Sequence, residues 1–429
     1  MRSRKQAFIL AGCLGLIVLS LLLVQWMILL YLCPLLLLLF LGIFWSSSGE
    51  LQITASHQTP AITVFEDGVL SIHVTVKNNG ENLHVLELYD ELSDRVAVDS
   101  GTNYMVLSME PNEAVEYSYD LFCPVRGLYH VGPLHVRERD FFGLLYKDTI
   151  IQDVVELTVV PQLEKIGDIA VKSKVNPYLG MMQTHRAGMA TEFHGVRKYS
   201  AGDSYKRINW KAFARWNSPM VNEFELESST DVVIILDARE LQEATGTLKR
   251  NPFGYGVRAA ASLASYFLKQ RDRVGLLLYG SSEHDLTWIY PESGNTQLYK
   301  VIRSLVQTKA SGNFTFQAAI NTTIGHLLPK KSLIILISSL EEDASIVTAV
   351  ESLQAQGFSV LIISPSPLDI EYAPNQGDPA YELARKLLSV QRNTILSQLR
   401  MTGSHVVNWN PSVPLSFALK EVRQSQIRR

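Results

Sequence analysis

Between Thr184 and Trp216 the chain sets seven cations (Arg186, Arg197, Lys198, Lys206, Arg207, Lys211, Arg215) and two acids (Glu192, Asp203) among six aromatic residues. The segment carries +5, so with a whole-chain charge of −3 the remainder carries −8. Two chemistries are open to such a stretch. Cations among aromatics bind anions, single-stranded nucleic acid included, through backbone charge and base stacking. They also fold into straps in which Arg stacks on Trp or Tyr and pairs with carboxylates. A second group, Asp237, Thr315 and Ser339, lies where three apolar runs or their loops end. In open α/β sheets ligands bind beyond the carboxyl ends of the strands, which makes these three a candidate site.

Catalytic signatures are missing. The chain holds no G-x-x-x-x-G-K-[ST] phosphate loop, no G-x-S-x-G elbow and no H-E-x-x-H helix. Its three cysteines exclude a disulfide framework and a four-cysteine zinc site; Cys13 and Cys33 fall in an apolar run, and Cys123 sits between Phe122 and Pro124. His73, His84, His130 and His135 are scattered without ligand spacing. No catalytic residue is therefore assigned, and the expectation is a protein that binds rather than transforms. The net charge of −3 argues against a general nucleic-acid binder.

The elements that would position these residues fall into four stretches. Residues 1–49 hold an uncharged run from Ala7 to Trp45, 39 residues long. As one helix it would span about 58 Å, against a hydrocarbon core of about 30 Å, so two passes turning near Gln25 and Trp26 fit better. A signal peptide is disfavoured because its apolar region runs only about 7–15 residues. Arg2, Arg4 and Lys5 then stay in the cytoplasm by the positive-inside rule, and the hairpin places residues 50–429 on the same side. The expectation is a two-pass cell-membrane protein with the lipid bilayer as one partner; a single tilted pass, which would put the soluble part outside, is the alternative, since no Lys or Arg follows Trp45 until Lys77.

Residues 50–160 alternate apolar and polar positions, most cleanly at Leu70, Ile72, Val74 and Val76, with Asn78-Asn79-Gly80 as a turn. Strands at that spacing predict an immunoglobulin-like β-sandwich. Residues 161–230 are a linker carrying the basic–aromatic segment. From 231 to 429 apolar runs (Val232–Leu236, Arg273–Tyr279, Leu333–Ile337, Val360–Ile363) alternate with helical patterns. That alternation predicts a doubly wound parallel sheet. The fold class is thus a mixed all-β and α/β multidomain chain behind a transmembrane helical hairpin.

The segment around residue 200 resembles the domain of unknown function 58 family, membrane-anchored proteins of bacteria and archaea. Its ordered elements stand here as Gly188, Glu192-Phe193, Gly195, Arg197, Tyr199, Gly202-Asp203, Arg207, Ile208-Asn209-Trp210-Lys211 and Ala214-Arg215. Asn209 departs from the family's usual Asp. The resemblance extends to Asp140-Phe141-Phe142-Gly143-Leu144. It implies that residues 231–429 form a von Willebrand factor A-like domain, a fold that often holds Mg²⁺ through Asp-x-Ser-x-Ser, a Thr and a later Asp. Here the first motif reads Asp237-Ala238-Arg239-Glu240-Leu241, Thr315 stands for the Thr, and Ser339 replaces the Asp. Arg239 would repel a cation or replace it by pairing with Asp237. The site is read as degenerate and no cofactor is expected, with Mg²⁺ as the alternative. The resemblance further implies a MoxR-type AAA+ ATPase as partner, and so a non-enzymatic membrane-anchored scaffold. A Mg²⁺-dependent recognition domain, and anion or nucleic-acid binding through residues 184–216, are the other readings; no specific nucleic acid is expected.

Overall fold

The computed structural model describes residues 4–23, 27, 31, 32, 34, 37, 51–58, 61–139, 146–167, 192–200, 203–225, 230–280, 286–323, 332–341, 345–372 and 379–420. These form two compact units, Met1–Gln162 with Ile302–Thr308, and Leu163–Val301 with Lys309–Arg429.

The transmembrane hairpin is corrected. Among the described residues no helix is long and apolar enough to cross a membrane. The apolar run opens as one helix, α1 (Arg4–Leu23), whose first turn is Arg4, Lys5 and Gln6. The apolar part that remains, from Ala7, covers about 26 Å at helical rise, short of the roughly 30 Å hydrocarbon core. The expected return pass lies outside the described residues apart from Met27, Tyr31, Leu32, Pro34 and Leu37. The two-pass placement, with residues 50–429 cytoplasmic, was argued from the hairpin and goes with it.

The first unit is rich in strands. One sheet has the order β1 (Ile53–His57), β3 (Gly68–Asn78), β7 (Ala114–Cys123), β5 (Ala97–Ser100). The other runs β2 (Ala61–Phe65), β10 (Val155–Val160), β8 (Gly127–Arg139), β4 (Leu83–Leu92), β6 (Tyr104–Met109), with β9 (Tyr146–Ile151) also on β8. β2 and β10 run parallel, whereas the other pairs are antiparallel. In β3, Ile72, Val74 and Val76 are buried while Ser71, His73 and Lys77 face solvent, the period-two pattern of a strand with one wet face. These side chains join Leu86, Leu88, Leu134 and Val136 of the other sheet in one core, so the two sheets stack. Asn78 closes β3: its side chain accepts from Gly80 N–H and donates to the Glu81 and Glu110 carbonyls.

In the second unit, β11 (Glu192–Lys198) and β12 (Met220–Glu225) form an antiparallel pair whose register slips between Phe193 and Gly195, placing Gly195 at a bulge. Between them lie a 3₁₀ turn, Tyr205–Arg207, and α2 (Trp210–Trp216). A six-stranded sheet follows, in the order β15 (Thr287–Glu292), β14 (Arg273–Tyr279), β13 (Asp231–Asp237), β16 (Leu333–Ile337), β17 (Ser359–Pro365), β18 (His405–Trp409). It is parallel except at the β14–β15 edge. Its central strands are buried along nearly their whole length, as continuous apolar runs require when both faces are covered. α3 (Pro252–Lys269) covers one face: a Cβ at Gly256 would stand 3.0 Å from Leu236 and 3.3 Å from Ile337. α4 (Asn295–Gln307) follows β15 in the chain. On the other face α5 (Phe316–Thr323), α6 (Ser345–Ala355) and, after α7 (Pro367–Tyr372), α8 (Pro379–Met401) bury Phe316, Leu353 and Leu399 against Val233, Leu336 and Ile362. β13 has β14 on one side and β16 on the other, so the order reverses there and opens a crevice at the carboxyl ends of β13 and β16.

Candidate functional site

The last residue of β13 is Asp237, and it is fully enclosed. Its carboxylate accepts five hydrogen bonds. Oδ1 takes the Arg239 backbone N–H (3.1 Å) and Arg239 Nε (2.9 Å); Oδ2 takes Arg239 Nη2 (2.8 Å), Gln242 Nε2 (3.0 Å) and Ser338 Oγ (2.7 Å). A carboxylate offers about four lone-pair sites, so these donors fill it. Arg239 is buried beside it and also donates to the Glu341 carbonyl. Ser339 sits one step out: its N–H donates to Gln242 Oε1, and its hydroxyl accepts from Gln242 Nε2 and donates to Glu341 Oε2. Among the described residues Thr315 makes no hydrogen bond to this cluster. It is exposed, and its hydroxyl accepts from Ala318 N–H as the cap of α5.

These residues do not fit Mg²⁺. A hard divalent cation needs free oxygen ligands in near-octahedral array, and here a guanidinium spans both oxygens of the only motif carboxylate. Among the described residues no group of three or more His, Cys, Asp and Glu is arranged to hold a metal ion.

Around this cluster Arg392 of α8 reaches across the strand ends. Nη1 donates to the Ser339 carbonyl (2.6 Å), and Nη2 to Ser364 Oγ (2.7 Å) and Asn408 Oδ1 (2.9 Å). Burial pushes its pKa down to about 10, against the opposite pull of Glu341 and Asp369. Two clefts of about 310 and 300 Å³ meet at this side chain, one polar with Arg385, Lys386 and Ser389, the other walled by Leu241, Leu340, Leu388 and Ile395. Arg392 thus closes the C-terminal ends of β16 and β17, a role that no sequence motif announced.

The basic–aromatic segment divides into two parts. Arg197 and Asp203 form a bidentate pair (2.8 and 2.7 Å), and Asp203 also accepts the Ser200 N–H, which pins the turn after β11. Arg197 first, and then that N–H, hold the Asp203 carboxyl below the usual carboxylate range. Tyr199 stacks on Tyr205 with ring centroids 6.0 Å apart. Asn209 caps α2, its Oδ1 accepting from Ala212 N–H while its Nδ2 donates to Asn222 of β12. α2 itself points the other way: Trp210, Lys211, Arg215 and Trp216 are exposed, as are Lys206 and Arg207 before it. Gly188 and Gly202 lie outside the described residues, as do the side chains of Glu192 and Phe193.

The strand-rich unit holds a charged cluster that the sequence reading passed over. His57, at the end of β1, is enclosed between Asp90 (Nε2 to Oδ2, 2.9 Å) and Asp153 (Nδ1 to Oδ2, 3.0 Å). Tyr119 of β7 donates to the same Asp90 oxygen at 2.5 Å. β1 and β7 belong to one sheet and β4 to the other, so the cluster ties the sheets together. Burial opposes charging of His57, but the bonds and charges of Asp90 and Asp153 outweigh it and its pKa is raised. The signal available was an isolated His at a strand end, with no partner near it in sequence. Cys123 is buried and its thiol pKa pushed up by that burial, the opposite of an activated nucleophile.

Residues 195–369 match the family described as protein of unknown function DUF58. The match begins at the Gly195 bulge and reaches Asp369 of α7, taking in the Arg197–Asp203 turn, α2 and the Asp237 cluster. A similar protein is the uncharacterized protein YeaD of Bacillus subtilis (strain 168), 25% identical over 186 residues, which are 43% of this chain and 43% of that protein. The chain therefore matches less than half the length of that curated relative. Among solved structures, the ASH/PapD-like domain of human CEP192 is 11% identical with a TM-score of 0.18, over 26% of this chain and 87% of that one. The complex of Zinc 2-glycoprotein and Prolactin inducible protein from human seminal plasma gives 11% and 0.20, over 27% and 98%. Likeness at that level bears no argument about fold or function.

Proposed function

We propose that the chain is a non-enzymatic adaptor that binds proteins, working with a MoxR-type AAA+ ATPase. The observation that supports it is the closure of the Asp237 carboxylate by Arg239, Gln242 and Ser338. A sheet of this kind has its ligand position at the β13–β16 crevice, and there the chain's own donors occupy the Asp237 carboxylate, the motif's candidate base or metal ligand. We read the strand order, with its antiparallel edge strand, as von Willebrand factor A-like. That reading favours recognition by surface over chemistry in a pocket. It weighs against a Mg²⁺-dependent recognition domain, because the cation's place is held by a guanidinium.

Co-expression of the tagged full chain with a MoxR-type ATPase encoded in the same genome tests the proposal. Co-elution of the two through size exclusion is expected. Separate elution, with no other stable protein partner on the tagged chain, would overturn it.

A further inference from the structure

α8 turns one face to the sheet and leaves the opposite face in water. On the inner face Arg385 pairs with Asp369, Arg392 donates to the Ser339 carbonyl, and Leu396 and Leu399 enter the core. At about 100° per residue, Leu383, Leu387, Val390, Thr394, Ser397 and Met401 fall within an arc of about 80° on the other side. All six are exposed, Leu383 by 62%, Leu387 by 63%, Val390 by 65% and Met401 by 86%. Large apolar side chains left in water along one helix mark an interaction surface. The Thr394 hydroxyl donates back to the Val390 carbonyl (2.9 Å), so its polar group is satisfied within the helix. The six are spaced 4-3-4-3-4, the a/d repeat of a coiled coil. A stripe that narrow is the seam that receives a second helix. A helix lying in a membrane surface is rich in Lys and Arg beside its apolar face. Here Arg385 and Arg392 turn inward, and the seam is bordered by Gln391 and Gln398 on one side and by Lys386, Asn393 and Arg400 on the other.

We propose that this seam pairs with the same seam of a second copy of the chain, antiparallel, about a two-fold axis level with residue 392. A two-fold interface must be complementary to itself. The seam meets that condition, because 4-3-4-3-4 reads the same from either end. Reversed on itself, it sets Leu383 against Met401, Leu387 against Ser397 and Val390 against Thr394. The bulky Leu387 thus meets the slim Ser397, and Val390 meets a side chain of nearly its own shape. Arg400 of the second copy comes level with residue 384, between Glu382 and Lys386, so the edge that carries cations also offers an acid. The area is sufficient. α8 has 23 residues, so it is about 34 Å long, and a strip of its curved surface buries roughly 600 Å² per copy; the roughly 1,200 Å² total reaches the range of stable interfaces. The pairing goes beyond the adaptor reading and does not depend on it.

Sedimentation equilibrium of the full chain reads the state directly. A dimer is expected, with Kd raised at least about a hundredfold in Leu387→Glu, which puts a charge into the seam of each copy. Leu387 is exposed in the single chain, so circular dichroism should show the fold kept. Adding Ser397→Lys to Leu387→Glu sets Glu against Lys in two layers and should restore most of the affinity. A parallel pair would instead set Glu against Glu and Lys against Lys, with no recovery. A monomeric wild type, an unchanged Kd in Leu387→Glu, or an unrescued double variant would overturn the proposal. So would a monomer that floats with phosphatidylglycerol vesicles, or one that co-elutes with the ATPase as wild type and not as Leu387→Glu. The first of these assigns the seam to lipid, the second to the ATPase.

Discussion

Replacing Arg239 by Met keeps the aliphatic bulk of the side chain and removes its charge from a place where only 1% of the side chain meets solvent. Asp237 then loses the bonds from Nε (2.9 Å) and Nη2 (2.8 Å), and keeps those from the residue 239 N–H, Gln242 and Ser338. What remains is a buried carboxylate without a counter-charge. Removing one partner of a buried pair costs about 3–5 kcal/mol. For a unit of this size each kcal/mol moves the melting temperature by about 2–4 °C, so the expected drop is about 6–20 °C. Differential scanning calorimetry of the full chain resolves it as a shift of the α/β transition. Asp237→Asn combined with Arg239→Met removes the stranded charge and should recover more than half of the loss. A single variant that falls by less than about 1 kcal/mol would refute the reasoning, since a closed ion pair cannot be removed so cheaply. A double variant as damaged as the single one would refute it equally, by showing that packing and not charge is at stake.

Three further outcomes are expected. His57 has its pKa raised above 6.5 by Asp90 and Asp153, against the effect of burial, so its stabilisation is complete below about pH 6.5 and is lost as pH rises through the raised value. The urea midpoint of the strand-rich unit should therefore fall between pH 6 and 9, and a profile of equal slope in His57→Gln would count against the cluster. Asn209→Ala should cost about 1 kcal/mol of local stability, read as faster hydrogen exchange at Phe213 N–H, whereas Asn209→Asp should keep the cap. Arg392→Met should lose about 2–3 kcal/mol by freeing the Ser339 and Ser364 carbonyls at the strand ends; an unchanged melting curve would show that solvent replaces those bonds.

Much of the architecture was legible because it is written in local periodicity. The alternation from Leu70 to Val76 and the unbroken apolar runs at Val232, Leu333 and Val360 each state how many faces of a strand are covered, and burial follows that statement residue by residue. The N-terminal run shows the limit of the same reasoning. Hydropathy counted uncharged residues, but α1, described over Arg4–Leu23, spends its first turn on Arg4, Lys5 and Gln6, and among the described residues no helix is long and apolar enough to cross a membrane. Composition does not say where a helix starts and stops. The chemistry of residue 239 was readable as a choice, repelling a cation or replacing it, because both outcomes follow from one charge two positions after Asp237.

Choosing between them needed the fold. Arg239 could close on Asp237 only because Gln242, Ser338 and Ser339 arrive at the same strand ends, Ser338 from 101 positions away. The His57–Asp90–Asp153 cluster is the same lesson in the other unit, with partners 33 and 96 positions distant. Side-chain spacing along the chain fixes which face of a strand or helix a residue occupies. Which distant groups share that face is decided by how sheets stack and strands order, and that is a property of the packed molecule alone.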